Sequence, residues 1–290
     1  RMRPGGFYSL ADDVTERALQ SLDQLTGERQ FLWVHYYDAH EPYGDTARSG
    51  ASLPLTEVLQ ACRTSDPVVP TMIARAQELY RSDVSFLDQA LGRLFARLDA
   101  DGDRWRTHVI VTTDHGESFG EDGSLGHGKR LTKEQLLVPT FFVSPDVPAA
   151  RRTDVAGSID IGPTVLSFAK VDGANFGGRD LSAPVKPQQD TAAFGMRRTF
   201  LKPLVDFRTD GTMVRESGPR FFAVLDGQLH TGVAGEIYED DLLERPVNDE
   251  RSPRLNLLFQ AFAAELAGSE MNENIDPETL RALEALGYVR

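Results

Sequence analysis

The stretch that decides the fold is Thr107–Val143, THVIVTTDHGESFGEDGSLGHGKRLTKEQLLVPTFFV. It opens on a run rich in β-branched residues, Thr107 to Thr113, which predicts a strand buried on both faces, as in a parallel sheet. The run stops at Asp114-His115-Gly116-Glu117. In open α/β sheets ligands sit beyond the carboxyl ends of strands, so Asp114 and His115 stand where an active site is expected. A carboxylate and an imidazole side by side can both reach one divalent cation. The glycines that follow lack dinucleotide-binding spacing, but the segment carries His127 and Lys129, able to protonate or neutralise an anion. Lys133 reads as a solvated surface charge. Leu136 to Val143 reads as a second buried strand. An Asp-His pair after a strand is often only an Asx-type turn. Here His127, Lys129, Glu117, Glu121 and Asp122 crowd the same short stretch.

TTDHGESFGEDG followed by HGKRLTKEQLLVPTFF resembles the sulfatase-like branch of the alkaline phosphatase superfamily. Members carry a DHGE or DNGE metal pair, then a lysine, then a V-P-hydrophobic strand. Asp38-Ala39-His40-Glu41-Pro42-Tyr43 resembles the H-x-P-[YF] block whose histidine contacts substrate. An imidazole at a strand end can hydrogen-bond a sulfate or phosphate oxygen, or protonate a leaving group.

The resemblance implies an α/β fold: a mostly parallel central sheet flanked by helices, with a small C-terminal antiparallel sheet plus helices. It implies Asp114 and His115 as metal ligands, and His40, Lys129 and His127 as catalytic residues, His127 ranking below His40 as proton donor. The implied cofactor is one divalent metal ion, calcium first, with manganese or magnesium as alternatives. The implied substrate is a small-molecule or carbohydrate sulfate ester, with phosphodiester or phosphonate ester hydrolysis as the neighbouring activity. Export is the implied localisation.

Composition sets outer limits. At 290 residues the chain allows one large domain or two smaller ones. Its 40% hydrophobic and 26% charged residues are ordinary for a globular protein. A net charge of −13 argues against a nucleic-acid partner but not against an anionic substrate, since a bound metal can invert the local field. No run approaches the roughly 20 apolar residues of a membrane span. The single cysteine, Cys62, permits no disulfide framework. ACRTSDP departs from the family's C-x-P-S-R nucleophile motif, so Cys62 is rejected as the nucleophile.

Leu10 to Leu25 has helical spacing between Ser9 and Gly27 as caps. Phe31 to Tyr37 reads as a buried strand, with His35 a core histidine. Leu55 to Cys62 is a short helical patch. Met72 to Leu98 is a long helix or helix pair with a packing role. Asp154 to Val171 reads as a strand ending in a helix, with Asp160 a cap or structural contact. Pro184 to Asp190 is the linker candidate, dividing residues 1–185 from 186–290. Beyond it, short runs between turns predict an antiparallel sheet, then helices at Leu255–Leu266 and Pro277–Leu286.

Family enzymes begin with a strand ending in an Asp-Asp metal pair and then the nucleophile. No such strand precedes Phe31, and Asp12-Asp13 reads as the acidic first turn of a helix. The chain is therefore expected to lack an N-terminal segment and, alone, to be weakly active or inactive. A non-catalytic remnant kept for binding is the alternative.

Overall fold

The structure is a computed structural model that describes residues 9–172, 178–184, 192–197, 204–216, 220–225, 228–233, 236–238, 246–247 and 255–256. The linker at 185–190 and nearly all of the two expected C-terminal helices lie outside them.

Helix α1 (Ala11–Gln24) forms where the spacing placed it, one residue inside the expected cap: Leu10, not Ser9, is the N-cap. Asp12 and Asp13 sit in its first turn, where carboxylates favour the helix dipole. After a loop come α2 (Thr46–Ser49), α3 (Leu55–Arg63) and α4 (Val69–Ala100), a single 32-residue helix about 48 Å long. Pro70 in the first turn starts α4 without forfeiting a bond, and Asp101-Gly102 ends it. Its buried residues, Val69, Ala76, Leu79, Asp83, Ala90 and Leu94, recur at helical spacing and form one stripe.

The chain then forms β1 (Val109–Thr112), β2 (Ser118–Phe119), β3 (Leu125–Gly126), α5 (Lys133–Leu136), β4 (Thr140–Val143) and α6 (Ile161–Ala169). The C-terminal part supplies β5 (Ala192–Arg197), β6 (Leu204–Phe207), β7 (Met213–Glu216), β8 (Arg220–Leu225), β9 (Gln228–Val233) and β10 (Glu236–Tyr238). There the expected antiparallel sheet is present, in the order β10-β9-β8-β5, with β6 and β7 a separate hairpin turning at Asp210-Gly211.

The mixed α/β class holds, but the sheet expectations need correction. Strands β1 and β4 pair antiparallel, Val109 opposite Val143 and Thr112 opposite Thr140. Only the β2–β3 hairpin and the one-turn α5 lie between them. A parallel return would need a crossover of a dozen or more residues, usually a helix. Nor is the pair buried on both faces. Phe142 packs toward Phe168 of α6, while Phe141 and Val143 point outward, 60% and 58% exposed.

The expected strand Phe31–Tyr37 has no ladder partner among the described residues. Phe31 is 68% and Trp33 80% exposed, and His35 is exposed rather than a core residue. The run has strand composition without a described strand beside it, and pairing is decided by neighbours more than by propensity. Residues 154–157 likewise form no strand; a 3-10 turn, Ser158–Asp160, leads directly into α6.

The core lies between α3, α4 and the β2–β3 segment. One cluster joins Val58, Ala61, Cys62, Val69 and Leu125, with Phe207 packed on it. The next joins Tyr43, Ala76, Leu79 and Phe119. These clusters fasten the glycine-rich segment to two helices and so fix the residues that flank it.

Asp160 is a structural contact, as expected: it accepts from Gly157 N at 2.9 Å and Arg179 N at 2.8 Å. Nearby, Asp154 is gripped by Arg152 at 2.8 Å and Arg179 at 2.7 Å, and only 15% of its side chain is exposed. The Arg152 hydrogen bonds, then those of Arg179, hold its carboxyl at about 2 instead of 3.8. A depressed carboxylate stabilises the fold fully above its unfolded value and stops doing so as pH falls from 3.8 to about 2. The contribution is about 1–2 kcal/mol after allowing for solvent screening. Asp154→Asn should therefore lower the urea midpoint at pH 6 and lose less than the parent chain between pH 4 and pH 2, the window taken from that shift. Parallel losses over that window would remove Asp154 from the acid response.

Candidate active site

Hairpin β2–β3 assembles the site. Its register sets Ser118 opposite Gly126 and Phe119 opposite Leu125. One step outward, Glu117 faces His127. The turn is held by the neighbouring acids: Glu121 accepts from Phe119 N at 2.6 Å and Asp122 from Ser124 N at 3.0 Å. So two of the crowded acids serve the turn, and a third, Glu117, serves the site.

His127 Nδ1–H donates to Glu117 Oε1 at 3.1 Å; the Glu117 side chain is 6% exposed. The His127 ring stacks on His115 with centroids 4.0 Å apart and meets His40 edge-on at 5.6 Å. Residues 75 positions apart, His40 and His115, are thereby joined through His127.

The three imidazoles share a tautomer. His40 Nδ1 lies 2.8 Å from Glu41 O, and His115 Nδ1 lies 2.9 Å from Gly116 O. A carbonyl only accepts, so each Nδ1 carries the proton and each Nε2 lone pair is left for another partner. Burial lowers the His127 pKa, but the Glu117 hydrogen bond and charge, with Glu41 and Asp114 adding, raise it above the ordinary imidazole value.

Asp114 and His115 are adjacent in space as in sequence: Oδ2 and Nε2 lie 3.7 Å apart, and 65% of the Asp114 side chain is exposed. Its Oδ1 accepts from His115 N at 3.0 Å. A metal-binding imidazole usually donates its other N–H to a carbonyl or carboxylate. His115 does so to Gly116, leaving Nε2 turned toward Asp114 Oδ2. The pair could supply two ligands to a cation. Among the described residues, no group of three or more His, Cys, Asp and Glu completes a cation site.

These residues border a cavity of about 90 Å³, lined also by Tyr36, Tyr37, Tyr80 and His35. A water needs about 10–15 Å³ on this measure, so the cavity takes several waters or one tetrahedral oxyanion. Among the described residues, no Lys or Arg lines it. Lys129, two residues from His127, is turned elsewhere: its Nζ is 3.0 Å from Asp206 Oδ1 on β6. Lys133 is a surface charge, 73% exposed. Cys62 is fully buried, and burial, with the Asp206 charge adding, pushes its thiol up, as suits a core residue and not a nucleophile.

The loop carrying His40 is anchored from below. Asp38 and Asp83 share the Arg48 guanidinium at 3.2 and 2.9 Å, and Asp83 Oδ2 accepts from Gly44 N at 2.6 Å. Glu41 accepts from Leu55 N at 3.0 Å.

The family model described as Sulfatase matches residues 2–171, more than half of the chain. The chain belongs to the sulfatase family. The low-salt glycan biosynthesis sulfotransferase Agl7 of Haloferax volcanii is 32% identical over 119 residues, 39% of this chain and 29% of that protein. The multifunctional alkaline phosphatase superfamily protein PehA of Trinickia caryophylli is 26% identical over 198 residues, 56% of this chain and 38% of that protein. The ulvan-active sulfatase of Formosa agariphila is 30% identical over 142 residues, 44% and 27% of the two chains. This sulfatase-family chain thus aligns with about a third of the length of these curated relatives.

Sequence reasoning placed Asp114, His115, His127 and His40 at the site, and the structure brings those four together. It placed Lys129 there too, and the structure turns it to Asp206. It missed the pairing of Glu117 with His127 and the cavity wall of Tyr36, Tyr37 and Tyr80. The hairpin turn Gly120–Gly123 was the available signal for the first, since it folds residue 127 back beside 117.

Proposed function

We propose that this chain is the later part of a metal-dependent hydrolase of sulfate esters, the nucleophile and remaining metal ligands coming from a segment N-terminal to it. The observation that carries the reading is the cavity itself. It combines Asp114 and Glu117 with four imidazoles, His35, His40, His115 and His127, and no Lys or Arg is among the described residues of its wall. An anionic ester would be repelled by the carboxylates unless a cation stood between them. Asp114 Oδ2 and His115 Nε2 are the groups to hold it. Calcium, which favours carboxylate oxygens, is the first choice, and manganese or magnesium the alternatives. Bound there, the ion would polarise the ester and stabilise negative charge on the reacting oxygens.

His40 and His127 take the proton work. With Nδ1–H fixed on Glu41 O and on Glu117, each leaves Nε2 to take up a proton, and the ring protonated there could donate to an ester oxygen or protonate a leaving group. Lys129 is a reserve cation for a non-bridging oxygen. The division into residues 1–185 and a smaller C-terminal part, and export of the protein, belong to the same proposal. No described helix is long and apolar enough to cross a membrane.

Hydrolysis of phosphodiesters is the second reading, favoured by the relative named a multifunctional alkaline phosphatase superfamily protein. Both are tested in the full-length protein with aryl sulfate and aryl phosphodiester side by side, before and after chelation. Asp114→Ala should cost at least about 100-fold in turnover and a similar factor in calcium affinity, since outer-shell changes alone cost 10–100-fold. Unchanged calcium affinity in Asp114→Ala would sink the metal assignment. A preference for the diester would move the substrate class and leave the metal site standing.

A further inference from the structure

Lys129 is restrained from both its ends by the C-terminal part of the chain. Its ammonium pairs with Asp206, which is 6% exposed, and its carbonyl accepts from Arg197 Nη1 at 2.7 Å. The β6–β7 hairpin that carries Asp206 also grips the turn before Lys129: Thr209 N–H donates to Gly123 O at 3.0 Å. Phe207, beside Asp206, packs on the α3 core cluster. Asp206 is therefore fixed by packing, while Lys129 has a long flexible stem and a Gly128 hinge at φ +77° on the His127 side.

Resting on the proposed oxyanion cavity, we propose that Asp206 is a positioning residue that withholds Lys129 from the cavity, so that an oxyanion recruits this lysine only by exchange with Asp206. The exchange is an ion-pair swap. One carboxylate contact opens and one oxyanion contact closes on the same ammonium, with no covalent change. The arrangement keeps this lysine off the cavity wall and reserves it for an anionic head group already in place.

The test is competitive acetylation of lysines by acetic anhydride, read by mass spectrometry on the full-length protein, with Lys133 as the exposed internal reference. In the parent protein Lys129 should react about threefold more slowly than Lys133, the mid-range for a partly exposed ion pair. Asp206→Asn should close that gap, and inorganic sulfate should then protect Lys129 more strongly than in the parent. Equal rates in the parent, a gap that survives Asp206→Asn, or equal sulfate protection in both would overturn the inference. If Asp206→Asn does not fold, about 1 M sodium chloride on the parent decides. An ion pair yields to salt and the gap narrows, whereas a gap due to steric cover stays and refutes the pairing. Turnover is not read, so a failure of the hydrolase reading shows up separately, in the aryl sulfate assay.

Discussion

Arg48→Met should cost about 3–5 kcal/mol of folding stability, the range for breaking a buried ion pair from one side. The guanidinium serves Asp38 and Asp83 together, and those side chains are 0% and 2% exposed. It also lies 3.8 Å over the Phe86 ring, a cation–π contact that methionine can only partly replace. Without it, two carboxylates sit buried beside each other with their shared cation gone. The surface pair Arg75–Glu78, whose side chains are 42% and 69% exposed, is the contrast: Arg75→Met should cost under about 0.5 kcal/mol. Urea unfolding of both variants provides the comparison. If Arg48→Met loses no more than Arg75→Met, the triad is not buried in solution as drawn. Adding Asp38→Asn and Asp83→Asn should recover part of the loss, because neutral amides no longer need the cation.

That triad also marks where sequence reading stopped. The stripe along α4 was legible from spacing, and a helix with a packing role follows from it. Asp83, however, sits within the stripe between Leu79 and Ala90. A charge on an apolar stripe signals a buried partner, but nothing local to α4 says that the partner is Arg48 or that Asp38 joins it. The candidate site was more legible because most of it is local. Asp114, His115, Glu117 and His127 lie on one hairpin and its approach, so a turn at Gly120–Gly123 is enough to gather them. His40 was found from the resemblance of its block to the family's H-x-P-[YF] block, yet its meeting with His127 depends on tertiary packing.

One strand reading failed and another held only in part, for a shared reason. Phe31–Tyr37 and Leu136–Val143 have the composition of buried strands, and composition reports what a segment can pair with, not whether a partner is beside it. The second does form a strand, shortened to Thr140–Val143: Leu136 is the last residue of α5, and residues 137–139 connect the two. Lys129 was read as a site cation because it shares the glycine-rich stretch with His127 and matches the lysine that the family resemblance implies there. Its partner, Asp206, is 77 residues away in a different sheet, and no spacing rule spans that distance.

Gly116→Ala should be the most damaging change of a single methyl group in the site, and it explains the glycine of the DHG triplet. A Cβ on Gly116 would lie 2.0 Å from the Glu134 carbonyl oxygen and 3.2 Å from its carbon. The obstacle is backbone, so no rotamer relieves it. Nor can α5 simply retreat. Gly116 N–H donates to Gln135 O at 2.8 Å, and the Gln135 side chain bonds Gly128 N and Ser118 Oγ, both at 3.0 Å. The methyl group must therefore push the 114–118 segment itself, and the residues on either side are His115 and Glu117. We expect a loss of about 3 kcal/mol or more, at or beyond the upper end for overpacking. The accompanying shift should also be large in function, since a 1 Å misplacement can cost about 100-fold in rate. Gly92→Ala is the control. That position lies within α4 with nothing within 4 Å of an added Cβ, so alanine should hold or raise stability by up to about 1 kcal/mol. Urea midpoints of the two variants should move in opposite directions. A Gly116→Ala protein as stable as Gly92→Ala would mean that the segment and α5 are not in contact as drawn, and the fixed geometry of Asp114, His115 and Glu117 would lose its support.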